Sequence, residues 1–166
     1  MHDELTEIDI QKMKDEIEER KALAPKLREA VKEAKALGDL SENDEYRSAK
    51  RELNKNNSRI RYLTNMISTA KIIRVDSKDD EIGLFDEVEI YYPDDDETET
   101  VRIVTTLRND VFSNNISKES PFGKALLGAK KGELVTVQID EKKSYQVKIL
   151  SFKKGKDDPD LPIGKY

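Results

Sequence analysis

The sequence predicts an α+β protein in two parts, an N-terminal antiparallel coiled-coil helical hairpin followed by an antiparallel sheet with one short helix. Two heptad runs and a later switch to alternating hydrophobicity carry that expectation. The first run places Ile10, Met13, Ile17, Arg20, Ala24, Leu27, Val31 and Ala34 at steps of three and four. The second repeats the steps with Tyr46, Ala49, Leu53, Asn56, Ile60, Leu63, Ile67 and Ala70. Folded back about position 40, each member of one run meets a member of the other, from Ala34 facing Tyr46 to Ile10 facing Ala70. Two independent patterns close on one centre, as the seam of an antiparallel coiled coil must.

At 1.5 Å per residue, each arm of roughly 28 to 30 residues forms a rod about 40 Å long. Gly38 suits the left-handed turn after the first helix, and Asp39 or Ser41 is placed to cap the second, with Glu42 or Asp44 completing a capping box. The loop and the first turn beyond it hold four carboxylates, Asp39, Glu42, Asp44 and Glu45, interleaved with Ser41 and Asn43. Acids at a helix start are ordinary, because they complement its dipole and its free N–H groups. Four of them on an exposed end also suit a rod that carries charge to a distant target. Both readings stand at this point. Within the seam, Asn56 and Arg20 are polar interruptions of the kind that fixes register, and Arg20 is expected to lay its stem along the seam with its head in water. Pro25 removes one backbone hydrogen bond and is expected to bend the first arm slightly.

The second arm is one-sidedly basic. Arg47, Lys50, Arg51 and Lys55, continued by Arg59, Arg61, Lys71 and Arg74, face a single acid, Glu52. Such a stripe either tracks a phosphate backbone toward the tip or is a solvated face offset by acids of the first arm.

A chain of 166 residues with a long hairpin leaves material for one small globular unit, so two domains are expected, 1–76 and 77–153, with 154–166 as a flexible tail. Net charge is −5, which gives no whole-protein attraction to nucleic acid and confines any such contact to a local patch. There is no cysteine, hence neither a disulfide framework nor a thiolate metal site, and the single histidine, His2, is a poor ligand candidate. No apolar run reaches the length of a membrane span, so no membrane partner and a cytoplasmic location are expected.

Beyond the linker Ser77–Glu81 the period becomes two. Val88, Ile90 and Tyr92 share one face of a strand over 87–92, and further strands are expected over 99–107, 134–139 and 145–152. The acidic tract Pro93–Glu97 reads as a turn. Between strands, Ser120 as cap, Pro121 at the first helical position and Gly128 past the end mark a helix of two turns, with Phe122, Ala125 and Leu126 toward the sheet.

These residues resemble the Gre family of bacterial transcript cleavage factors. The likeness rests on Gly38-Asp39-Leu40-Ser41-Glu42-Asn43 with Glu45-Tyr46 and Ala49-Lys50, and on Ile116-Ser117, Ser120-Pro121 and Ala125-Leu126-Leu127-Gly128. It implies a monomeric accessory factor, not an enzyme, whose coiled coil enters the secondary channel of RNA polymerase. An FKBP-like second domain docks on the channel rim, where Ser120, Pro121 and Phe122 are the docking candidates. Asp39 and Glu42 fall on the family's two functional tip acids, which help the polymerase cut backtracked nascent RNA at its 3′ end. They do so by offering oxygens to a Mg²⁺ shared with the polymerase, hard-donor chemistry suited to a two-metal displacement. No cofactor of its own and no metal in the free protein are implied, nor any nuclease activity alone. Two departures stand out. Asp44 occupies a position usually filled by a small residue, which keeps open a channel-plugging inhibitor. Ile103–Asp110 lacks the family's glycine and Glu-Ala-Asp segment, which points to altered rim docking. From other classes, a peptidyl-prolyl isomerase or chaperone is disfavoured by the absence of Trp and scarcity of aromatics, and a purely structural adaptor leaves the acidic tip without a purpose.

Overall fold

A computed structural model of the chain describes residues 3–38 and 43–164. The elements run β1 (Glu4–Leu5), α1 (Glu7–Lys35), α2 (Asp44–Thr69), β2 (Lys71–Ile72), β3 (Glu87–Tyr92) and β4 (Glu97–Val104). They continue with β5 (Asn115–Ser117), α3 (Pro121–Leu126), β6 (Leu134–Gln138) and β7 (Ser144–Lys153). Two compact units divide them: Ile10–Ala70 forms one, and the residues through Asp9 join those from Lys71 onward in the other. This grouping joins the first residues to the later unit. Its cause is a short parallel pairing of Glu4 with Lys71 and Leu5 with Ile72, extended by Lys71 N–H to Asp3 C=O and Ile73 N–H to Leu5 C=O. Two-residue strands leave no periodicity for a sequence reading to find.

In the helical unit the two arms have the expected seam. Met13, Ile17, Ala24, Ala34, Asn56 and Leu63 are buried and the other seam positions half-buried, while the positions around them are mostly exposed. Helix α1 continues through Pro25, which sits on its wet side. The polar interruptions meet each other across the seam: Asn56 Nδ2 donates to the Arg20 carbonyl at 2.9 Å and Arg20 to Asn56 Oδ1 at 3.3 Å. Glu16 accepts from Arg20 Nε at 2.8 Å and from Arg59 at 2.7 and 3.2 Å. The Arg20 head is thus bound within the hairpin and not released to water, and Arg59 leaves the basic stripe for a buried ion pair. Burial alone would raise the Glu16 carboxyl, but the bonds and charges of Arg59 and Arg20 outweigh it and hold the group below its ordinary value.

The second unit is a five-stranded sheet in the order β5-β4-β3-β7-β6. It is antiparallel except at one edge, where β4 and β5 run parallel with Ile103 beside Ile116. A bulge between Glu89 and Ile90 interrupts the β3–β7 ladder, the device that bends a strand and sharpens its twist. Val88, Ile90, Val101, Ile103, Val147 and Ile149 form one buried face, closed by Leu126 from α3. Strand β4 ends earlier than its pattern suggests, because Thr106–Arg108 tightens into a 3-10 turn.

Residues 154–164 form no strand or helix, as expected, yet they are tied down. Lys154 Nζ reaches Asp86 at 2.6 Å, Ser77 Oγ at 2.8 Å and the Lys78 and Glu81 carbonyls. Gly155 N–H donates to Asp86 Oδ1, and its Cα lies so close to the Phe85 carbonyl that a Cβ there would come within 1.9 Å. Farther along, Gly164 N–H donates to the Leu107 carbonyl. Buried Asp86 needs donors, and this segment supplies them.

The seam sets a testable gradient. Leu63 is fully buried whereas Leu53, nearer the tip, is half-buried. Leu63→Ala should destabilise the hairpin by roughly 2–4 kcal/mol and Leu53→Ala by less, read from helical circular dichroism during urea unfolding. Equal effects, or a Leu63→Ala loss no larger than that of exposed Leu23→Ala, would contradict this packing.

Candidate functional site

The end of the hairpin is built around Asn43. It precedes α2 in an extended conformation, its Oδ1 accepting from Tyr46 N–H at 3.0 Å. Its Nδ2 donates to the Ala34 carbonyl at 2.7 Å, near the end of α1. One side chain thereby caps the second helix and takes up a free carbonyl of the first. The cap expected from Asp39 or Ser41 falls instead to Asn43, which a sequence reading could have found, since Asn ranks with Asp among N-caps. Asp39, Ser41 and Glu42 lie outside the described residues.

Asp44 and Glu45 open α2, where carboxylates meet the positive end of the helix dipole. The Asp44 side chain is 94% exposed, and Arg47 approaches it only to 3.5 Å. Glu45 and Asp44, with Glu33 and Glu52, rim a groove of about 670 Å³ whose floor is Leu27, Ala30, Ala34 and Ala49. The basic residues Arg47, Lys50, Arg51 and Lys55 are all exposed, and none lines this groove. At 100° per residue Arg47, Arg51 and Lys55 fall on the side of α2 opposite its seam, and Lys50 on its flank. Lys50 also lies over the Tyr46 ring at 5.7 Å. The hairpin end therefore has an acidic flank and a basic back.

In the sheet unit the docking candidates cluster at α3. Ser120 Oγ accepts from Gly123 N–H at 3.0 Å and donates to the Ser117 carbonyl at 2.7 Å, which fixes the start of the helix. Pro121 is exposed at the first helical position, and Phe122 is half-buried, packing on the core while lining a groove of about 510 Å³. Across that groove the Tyr92 hydroxyl donates to Glu99 Oε2 at 2.7 Å. Burial, then the bond to Glu99, pushes the Tyr92 hydroxyl far above its ordinary range.

A third cluster was missed in the sequence. Thr6 and Asp9 form a reciprocal capping box, Thr6 N–H to Asp9 Oδ2 at 3.0 Å and Asp9 N–H to Thr6 Oγ1 at 3.3 Å. Fully buried Arg108 donates to Asp9 Oδ1 at 2.5 Å, to Thr6 Oγ1 and to the Asp158 carbonyl. It also pairs with Asp157 at 2.5 Å and lies 4.9 Å from the Phe85 ring centre. The Thr6-Glu7-Ile8-Asp9 spacing was a legible signal; the burial of Arg108 was not.

Comparison with known proteins divides the chain by sequence between residues 72 and 77. A model described as "Transcription elongation factor, N-terminal" matches residues 4–72, and one described as "Transcription elongation factor, GreA/GreB, C-term" matches 77–154. The transcription elongation factor GreA of Thermotoga neapolitana is 41% identical over 135 residues, 81% of this chain and 86% of that protein. The GreA of Thermosipho africanus is 40% identical over 151 residues, 90% of this chain and 95% of its own. The chain belongs to the GreA/GreB family of transcription elongation factors. A crystal structure of GreA factor homolog 1 from Thermus thermophilus covers 93% of the chain and 100% of its own at 24% identity, with a TM-score of 0.43; so loose an overlay adds nothing to the assignment.

Asn43→Ala removes both the cap and the tie to Ala34. It should destabilise the hairpin by about 1–2 kcal/mol and speed amide exchange at Tyr46 more than at Leu63. Unchanged exchange at Tyr46 would show that Asn43 does not hold the hairpin end.

Proposed function

We propose that the protein binds RNA polymerase and stimulates the polymerase's own cleavage of backtracked RNA, its hairpin entering the secondary channel. The observation that carries this reading is the Asn43 tie, which holds the two helix ends together beside the four-acid stretch. A reaching device needs a defined end, and an aimed carboxylate loses much of its effect when displaced by an ångström.

In this reading Asp39 and Glu42 hold a Mg²⁺ shared with the polymerase and orient the attacking water. Their oxygens, like those of the open carboxylates of Asp44 and Glu45 beside them, are the hard donors that this ion takes. The ion, when bound, stabilises charge on the attacking and leaving oxygens. Arg47, Lys50, Arg51 and Lys55 face the phosphates of the extruded RNA 3′ end, and their exposed, clustered placement on the back and flank of α2 supports that role. Ser120, Pro121 and Phe122 dock on the channel rim. The factor is an accessory acting as a monomer, while the bond breaking belongs to the polymerase.

The exposed Asp44 supports a second reading, in which the extra charge makes the protein an inhibitor of the same enzyme. One assay separates the two, with purified polymerase in a backtracked complex scored for short 3′ RNA fragments. Asp39→Asn and Glu42→Gln should each lower cleavage stimulation by about 10²-fold with polymerase binding near normal, and Asp44→Ala should remain active. Full activity of both tip variants at limiting Mg²⁺ would remove the metal-holding role. Slowed elongation by the wild type, relieved by Asp44→Ala, would establish the inhibitor instead.

A further inference from the structure

A tight turn beside the α3 groove presents two apolar side chains to solvent. Residues Asp110–Asn114 are held by the Asp110 carboxylate, which accepts from Phe112 N–H at 3.2 Å and from Ser113 Oγ at 2.8 Å. Asn114 takes a left-handed conformation at φ 57°, and Asp110 and Asn115 close the turn with a reciprocal backbone pair of 2.8 and 2.9 Å. What this turn displays is Val111, 64% exposed, and Phe112, wholly exposed. A wholly exposed Phe contributes nothing to the core, yet here it stands on a backbone locked by several hydrogen bonds. A large apolar side chain on an ordered backbone outside the core is of the type that anchors interfaces, because the backbone loses little freedom when the side chain is covered.

Val111 also lines the 510 Å³ groove, together with Ile116, Phe122, Val137 and Glu99. The Glu99 carboxylate takes the Tyr92 hydroxyl on one oxygen, and among the described residues it has no cationic partner. A second hollow that shares Tyr92 and Tyr145 with the first is lined by Asp94 and Asp95, and neither is lined by a Lys or Arg. An apolar floor with carboxylates along one side complements a large apolar side chain next to a cationic one.

We infer that Phe112 and Val111 clamp, and Glu99 pairs with, a polymerase segment that presents an apolar side chain beside an Arg or Lys. The inference rests on the docking role given above to Ser120, Pro121 and Phe122, and extends that contact across the groove to the turn. It also assigns the partner's chemistry. Phe112 touches no core residue, so its replacement leaves the fold intact.

The test is the affinity of the full-length protein for purified RNA polymerase at low and high salt. Phe112→Ser should weaken binding roughly tenfold, the scale of a lost interface anchor, and Phe112→Tyr should restore most of it. Glu99→Gln should weaken binding at low salt and flatten the salt dependence, since a screened charge pair has been removed. Phe122→Asp, checked for retained sheet structure by circular dichroism, reports on the docking reading itself. Loss of binding by Phe122→Asp, with Phe112→Ser and Glu99→Gln both within twofold of wild type, overturns the inference and leaves the docking reading standing. Binding unchanged in a folded Phe122→Asp overturns the docking reading. A weak Phe112→Ser beside an unaltered Glu99→Gln overturns the cationic half of the assignment.

Discussion

The hairpin depends on a polar cluster in the middle of an otherwise apolar seam. Glu16 bridges Arg20 on its own helix and Arg59 on the other, while Asn56 and Arg20 bond each other across the gap. Taking these groups from water is costly, and apolar side chains of similar size often stabilise as well or better. Their value lies in what they forbid. Sliding one arm by a layer leaves a buried guanidinium without its carboxylate and an amide without its carbonyl, whereas Leu and Ile would accept the new neighbours with little change. Register in turn decides which residues stand at the tip, since Asn43 finds the Ala34 carbonyl only when the arms are aligned about position 40.

The sheet unit uses a comparable constraint at Arg108. One guanidinium collects Thr6 and Asp9 from the start of the chain, Asp157 and Asp158 from near its end, and the Phe85 ring. Arg108 stands in the stretch Ile103–Asp110, and these ties hold that stretch in place. A charged residue is buried there because its partners are present in the same chain. Lys118 with Glu4 is a second tie of this kind, and the hydrogen bond and charge of Lys118 hold the Glu4 carboxyl below its ordinary value.

Much of this was legible in the sequence, and the misses share a cause. The seam, the strands and α3 with its Ser120 cap were readable because periodicity and capping are local, repeated signals. The pairing of Glu4–Leu5 with Lys71–Ile72, the tied segment after Lys153 and the Arg108 cluster join residues about 50 to 100 positions apart through isolated contacts, and no period records them. Arg20 shows the intermediate case. Its seam position was evident, but its partners Glu16 and Asn56 follow only from the way two helices meet. For the tip, the sequence gives Asp39 and Glu42 their spacing and their likeness to the family. The structure adds the Asn43 tie beside them.

That the polar cluster sets register, and does so at no gain in stability, is the central claim, and methyl nuclear Overhauser spectra of the hairpin test it most directly. Wild-type protein should give one set of cross-peaks linking the mirrored pairs Ile17 with Leu63 and Leu27 with Leu53. A variant with Glu16, Arg20, Asn56 and Arg59 all replaced by Leu should stay as stable or become more so, yet add a second set that links each residue to the next layer. A single unshifted set in that variant would contradict the account and leave register to the apolar seam and the loop alone.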